Sequence, residues 1–189
     1  MRAIILPVSA VLLLVSSAAS ASPCHDGDDT TDDCKEYEAF VSPGGTAQFF
    51  APHGAKQPYF GGGFQIAAVQ WAHDNNDYGP ARGAVFFQAS LLQSPVSEHV
   101  MGIYEGGMTL AFERNANRRF AIPYFGFTMG GITQTGAKDA GFFQPVAGMH
   151  VFWNPNVVVD VSGGYVFPFV NVDDLRGFRA QASLRIHLW

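Results

Sequence analysis

The sequence predicts an all-β fold, an eight-stranded antiparallel up-and-down transmembrane β-barrel, and three observations carry that expectation. Apolar and polar residues alternate with a two-residue period from Thr46 to the C-terminus. The one long apolar run lies at the extreme N-terminus and contains Pro7. No other segment approaches the roughly 20 apolar residues that a spanning helix needs. A mature chain that enters a bilayer must then do so as a closed sheet, which pairs every backbone polar group across its strands.

At the N-terminus, Met1 and Arg2 precede an apolar run through Val15 and small residues at Ala19 and Ala21. This is the pattern of a secretory signal over 1–21, cleaved after Ala21. Residues 22–45 form an acidic extension. Asp26, Asp28, Asp29, Asp32, Asp33, Glu36 and Glu38 stand there against Lys35 alone, whereas residues 39–189 hold nine acids and nine bases. With no clustered Lys and Arg to displace counterions, nucleic acid is excluded as a partner. Export places Cys24 and Cys34 in an oxidising compartment, so a disulfide between them is expected. Cys24 lacks the residues that precede a lipidated cysteine. The aspartates between the two cysteines lack the ligand spacing of a calcium loop and read as a solvated tail, so neither a metal nor a cofactor is expected.

The barrel is expected over 46–189, with strands at 46–51, 59–72, 82–93, 99–113, 119–132, 141–153, 157–168 and 177–188. The last is the clearest: Phe178, Ala180, Ala182, Leu184, Ile186 and Leu188 share one face, and Arg179, Gln181, Ser183, Arg185 and His187 the other. In 157–168, Val157, Val159, Val161, Tyr165 and Phe167 oppose Asp160 and Ser162. In 141–153, Phe143, Pro145, Ala147, Met149, Val151 and Trp153 oppose Gln144, Gly148 and His150. In 99–113, Tyr104, Met108, Leu110 and Phe112 oppose Glu105, Thr109 and Glu113. The segment 46–51 is included because two termini on one side of the membrane require an even number of strands.

Residue size decides which face is inside. A soluble barrel buries its apolar face, and a membrane barrel turns it to lipid. The polar positions are interspersed with Ala84, Gly107, Ala111, Gly148 and Gly164, as a narrow lumen shared by side chains requires. Tyr104, Phe112, Trp153, Tyr165, Phe167 and Phe178 sit toward the ends of the apolar face, like interfacial girdles. Strands of about 12 residues, tilted near 40°, reach about 30 Å, enough for a ~25 Å apolar band. Connections counted back from a periplasmic C-terminus make Asn154, Pro155 and Asn156 a tight periplasmic turn and 169–176 an outer loop; 73–81 is long for a periplasmic turn.

With the signal, the run Ile122-Pro-Tyr-Phe-Gly-Phe-Thr-Met-Gly-Gly131 and the amphipathic last strand, residues 46–188 resemble the small outer-membrane barrels of the OmpA and OmpX type. Trp189 departs from their pattern, falling one residue late for the terminal aromatic, with Leu188 in that place. The resemblance implies outer-membrane lipid and the outer-membrane assembly machinery of a Gram-negative cell as partners, and a monomer. It does not choose among anchoring, adhesion and lipid-modifying roles.

Within the lumen, a turn centred on Pro155 pairs Val151 with Val159, Met149 with Val161, and His150 with Asp160. Centring the next connection between 172 and 173 pairs Phe167 with Phe178, Val161 with Leu184, and Asp160 with Arg185. His150, Asp160 and Arg185 then form one polar belt, and Glu105, Glu113 and Arg179 are expected as further lumen ion pairs. A His beside an Asp, with Ser162 and Ser183 near, also fits a hydrolase. Mutual neutralisation explains the same residues without chemistry, because charges in a narrow barrel must be paired. The His-x-Ser-Asn motif of lipid A deacylases is absent, so no catalytic residue is assigned. The expected function is a non-enzymatic outer-membrane barrel of structural or surface-exposing role. Its competitors are a soluble lipocalin-like carrier of an apolar ligand, whose Gly-x-Trp signature is absent, and a lipid-modifying enzyme.

Overall fold

A computed structural model describes residues 36–55, 57–73, 81–96, 99–112, 119–135, 139–154 and 156–188. Eight strands follow one another: β1 (Glu36–Pro52), β2 (Tyr59–His73), β3 (Ala81–Gln93), β4 (Val100–Phe112), β5 (Phe120–Gln134), β6 (Ala140–Trp153), β7 (Val157–Pro168) and β8 (Gly177–Ile186). A single helical turn, α1 (Val172–Leu175), lies in the last connection. Each strand pairs antiparallel with the next, and β1 pairs with β8 to close the barrel.

The faces divide as the two-residue period requires. Leu184, Ile186, Val161, Phe64, Ile66, Phe87 and Met129 are exposed on the outside, while Gln65, Gln88, Glu105, Asp160, Arg179 and Arg185 are buried within. Tyr104, Phe167 and Phe178 stand exposed near the strand ends bordering the connections 94–99, 135–139 and 169–176, and the Phe49 and Phe60 rings meet at 5.3 Å nearby. This is the inverse of a water-soluble barrel and the arrangement that hydrocarbon selects. Among the described residues no helix is long and apolar enough to cross a membrane.

Three expectations need correction. The first strand begins at Glu36, not Thr46, so ten residues assigned to the extension belong to the barrel wall, where Ser42 faces Ala67 and Gly45 faces Phe64 of β2. Pro43-Gly44-Gly45 imitates a turn. In the barrel, pairing to β8 runs from Gly44 onward and resumes as a bridge at Val41, leaving Ser42 and Pro43 in the gap, where a residue without an N–H is tolerated.

Trp153 is the second. His150 pairs with Asp160 and Met149 with Val161, but Phe152 pairs with Val159 and Trp153 with Val158. The bulge at Val151 adds one residue, reverses the alternation beyond it and turns Trp153 into the lumen, buried beside Val158. The tight turn that follows is built by Asn154, whose Oδ1 accepts from the N–H groups of Asn156 (2.8 Å) and Val157 (2.6 Å).

The third concerns the register of β7 and β8. Tyr165, not Phe167, faces Phe178; Val159, not Val161, faces Leu184; and Ser183, not Arg185, faces Asp160. The connection is asymmetric: α1 occupies its second half, and Phe169 donates its N–H back to Gly141 at 2.8 Å. The shift is two residues, one full period, so every side chain keeps its face.

Candidate functional site

Among the described residues the interior charges form two clusters, each assembled from distant parts of the chain. Arg179 projects inward from β8 and Glu105 from β4, strands on opposite sides of the closed barrel. The Arg179 Nη2 reaches Glu105 Oε1 at 2.5 Å and Oε2 at 2.6 Å, so this pair spans the lumen. Gln88 of β3 donates to Glu105 Oε1 at 3.0 Å and to Gln181 Oε1 at 3.1 Å. The guanidinium carbon also lies 5.6 Å from the centre of the Phe142 ring, close enough for cation–π attraction.

Asp160 organises the second cluster. Its Oδ2 accepts from Arg185 Nη2 (2.7 Å) and Ser183 Oγ (2.9 Å), and its Oδ1 from Tyr124 Oη (3.1 Å). Arg185 therefore reaches Asp160 diagonally although its backbone partner is Val158. His150, opposite Asp160 in register, packs its ring 4.6 Å from that of Tyr124 and 5.2 Å from that of Trp153. Trp153 lies 5.2 Å from the His187 ring, whose Nδ1 is hydrogen-bonded with Ser42 Oγ. Confined charges lose most of their hydration, and reciprocal bonding is what makes them tolerable.

His150, Asp160, Arg185, Glu105 and Arg179 thus all lie inside the barrel. Glu113, Cys24 and Cys34 lie outside the described residues, as does the segment 1–21. Tyr124, Gln88, Ser42 and His187 complete the network; of these, the sequence places only His187 on a polar face, that of the last strand. Tyr124 was legible by period, since it shares the inward face of β5 with Ile122 and Thr128. Ser42 was hidden by the misplaced start of β1.

Among the described residues, apolar side chains pack above and below these clusters. Phe50, Leu92, Met101, Ile132, Phe142 and Leu175 pack one end, and Phe86, Ile122, Trp153 and Val158 the other. Between them a cavity of about 20 Å³ borders Tyr124, Asp160, Arg179 and Arg185, room for about one water. A wider depression of about 480 Å³ opens at the mouth over Met101 and Leu175. Inside, the paired charges neutralise one another and the apolar clusters narrow the bore.

No protein-family model and no curated protein sequence matches the chain. Solved structures do. Neisserial surface protein A (NspA) superposes with a TM-score of 0.52 at 15% identity, over 81% of this chain and 99% of its own. Ail, the attachment invasion locus protein of Yersinia pestis, gives 0.48 at 15% identity, over 82% and 99% respectively. Likeness at this identity reports the fold, and the chain has the fold of the small eight-stranded outer-membrane barrels.

Proposed function

We propose that this protein is a non-enzymatic outer-membrane β-barrel of a Gram-negative bacterium, exported through the 1–21 signal and serving a structural or surface-exposing role. One observation carries the reading: Asp160 and Arg185 are each only 4% exposed, while Leu184 and Ile186 are 53% and 54% exposed. Water on the outside would penalise every one of the apolar side chains there, and hydrocarbon rewards them. Outer-membrane lipid is therefore the principal partner, the outer-membrane assembly machinery inserts the chain, and the barrel acts as a monomer.

The role within that membrane follows from what the lumen holds. Glu105 and Asp160 are committed to Arg179 and Arg185 in bonds that span strands, which supports stabilisation rather than turnover. The packed bore disfavours a porin. The connections 53–58, 94–99, 135–139 and 169–176 are each eight residues or fewer, which supports anchoring over a role that needs long loops.

Membrane fractionation combined with heat-modifiable gel mobility tests the reading. The protein is expected in the outer-membrane pellet, running faster unheated than boiled. Recovery in the soluble fraction with no mobility difference would point to the carrier instead.

A further inference from the structure

The apolar surface does not stop where the strands stop. β7 ends at Pro168, yet Phe169, Val170 and Val172 in the following loop are 62%, 51% and 46% exposed. A connection surrounded by water has no reason to present three apolar side chains in four positions, since nothing offsets their hydration cost.

Their direction is set by two anchors. The N–H of Phe169 bonds to the carbonyl of Gly141, and its ring occupies the space that a side chain at Gly141 would fill, 3.0 Å from the Cβ position. Gly141 belongs to the outward row of β6 that includes Phe143, Pro145 and Ala147. The Phe169 ring is therefore on the exterior wall, continuous with exposed Phe167. Further along, Asn171 adopts φ 55°, reversing the chain into α1. That turn divides by face: Leu175 is buried in the lumen cluster, whereas Val172 points away. Bonds from His53 N to Arg176 O (2.8 Å) and Gly54 N to Asp174 O (3.2 Å) tie the loop to its neighbour.

The geometry points to the β7–β8 connection as an interfacial anchor: Leu175 stoppers the barrel from above while Phe169, Val170 and Val172 insert into the lipid leaflet beside it. The partner is a lipid surface, chosen because these side chains continue the lipid-facing wall; the inference rests on the membrane reading above. Asp173, Asp174 and Arg176 on the same loop are exposed and fall at headgroup level, with Arg176 3.5 Å from Asp173. Insertion by a few apolar side chains flanked by charge is how interfacial segments hold a membrane surface.

The test places single tryptophans in the full-length protein, reconstituted in phosphatidylcholine vesicles brominated either near the carbonyl end or near the methyl end of the acyl chain. Val172→Trp reports the loop and Val161→Trp, at the middle of β7, the barrel wall. Emission of the unsubstituted protein, with Trp71, Trp153 and Trp189, is subtracted. Val170→Trp serves if Val172→Trp fails to show the mobility shift of a folded barrel.

The expected result is quenching of the loop tryptophan by carbonyl-end bromine, at least half as strong as the best quenching at Val161→Trp, with little effect of aqueous iodide. Val161→Trp should respond most to methyl-end bromine. Iodide quenching at the loop without lipid quenching, while Val161→Trp stays lipid-quenched, overturns the anchor alone. Absence of lipid quenching at both positions overturns the membrane reading and the anchor with it.

Discussion

Arg179 and Glu105 meet across the full width of the barrel, joining β8 to β4 through two contacts of 2.5 and 2.6 Å. Each of those strands is four steps from the other in either direction around the wall. The pair is therefore a crossbar, and its members are 2% and 1% exposed. Arg179→Ala strands a carboxylate in the interior, so it should cost about 3–5 kcal/mol, whereas replacing both residues by apolar ones of similar volume should cost far less. Urea titration in lipid vesicles, read by unheated gel mobility, checks both variants; equal losses from the single and the double change would contradict the crossbar.

Asp160 separates structural from catalytic use of the second cluster. It receives three hydrogen bonds, from Arg185, Ser183 and Tyr124. Asp160→Ala removes the acceptor of all three and leaves Arg185 buried without its partner, an expected loss of about 3–5 kcal/mol. His150→Ala removes a ring packed between Tyr124 and Trp153 and should also lower heat resistance. A lipid-modifying enzyme would behave differently: both variants would keep their heat resistance and lose an acyl-transfer or hydrolysis activity measured on lipid substrates.

These clusters also show which parts of the structure were legible in advance. Asp160 and Arg185 were expected to face each other; they are two residues out of register, yet still bonded, because a shift of one period preserves the face and a long guanidinium bridges the diagonal. Alternation therefore predicts what is inside more securely than what is opposite. Trp153 was not legible, because the bulge at Val151 adds one residue with no Gly or Pro to mark it. Glu105 and Arg179 were each readable as interior charges, but their union depends on the relative heights of opposite strands, which hairpin pairing does not supply. The start of β1 was obscured by Pro43-Gly44-Gly45, a turn signal in isolation that the surrounding ladder overrides.

Gly148 holds open the place of the Tyr124 ring. The two face each other across β5 and β6, and a Cβ at Gly148 would lie 2.4 Å from Tyr124 Cζ and 2.6 Å from its Oη. The ring cannot withdraw without giving up its bond to Asp160. Gly148→Ala should thus destabilise by about 1–3 kcal/mol, the usual range for overpacking. In a Tyr124→Ala background the same change should be milder, and a thermodynamic cycle over the four proteins should give a coupling of about 0.5–3 kcal/mol. A coupling near zero would mean that the ring is not what excludes the methyl group.

Val161 distinguishes the solvents outside the wall. It sits at the middle of β7, exposed, flanked by Met149 on β6 and Ala182 on β8. In water an arginine there would be harmless, since the site is open and its neighbours make no demand on it. In hydrocarbon the charge has no partner and little room to reach the interface, and the expected loss is about 2–4 kcal/mol at the midplane, shrinking toward the membrane surfaces. The same substitution at Val157, near the strand end, should therefore cost less. Folding yields and urea midpoints of Val161→Arg and Val157→Arg in vesicles measure the difference, and a depth-independent, negligible effect would be the behaviour of a barrel surrounded by water.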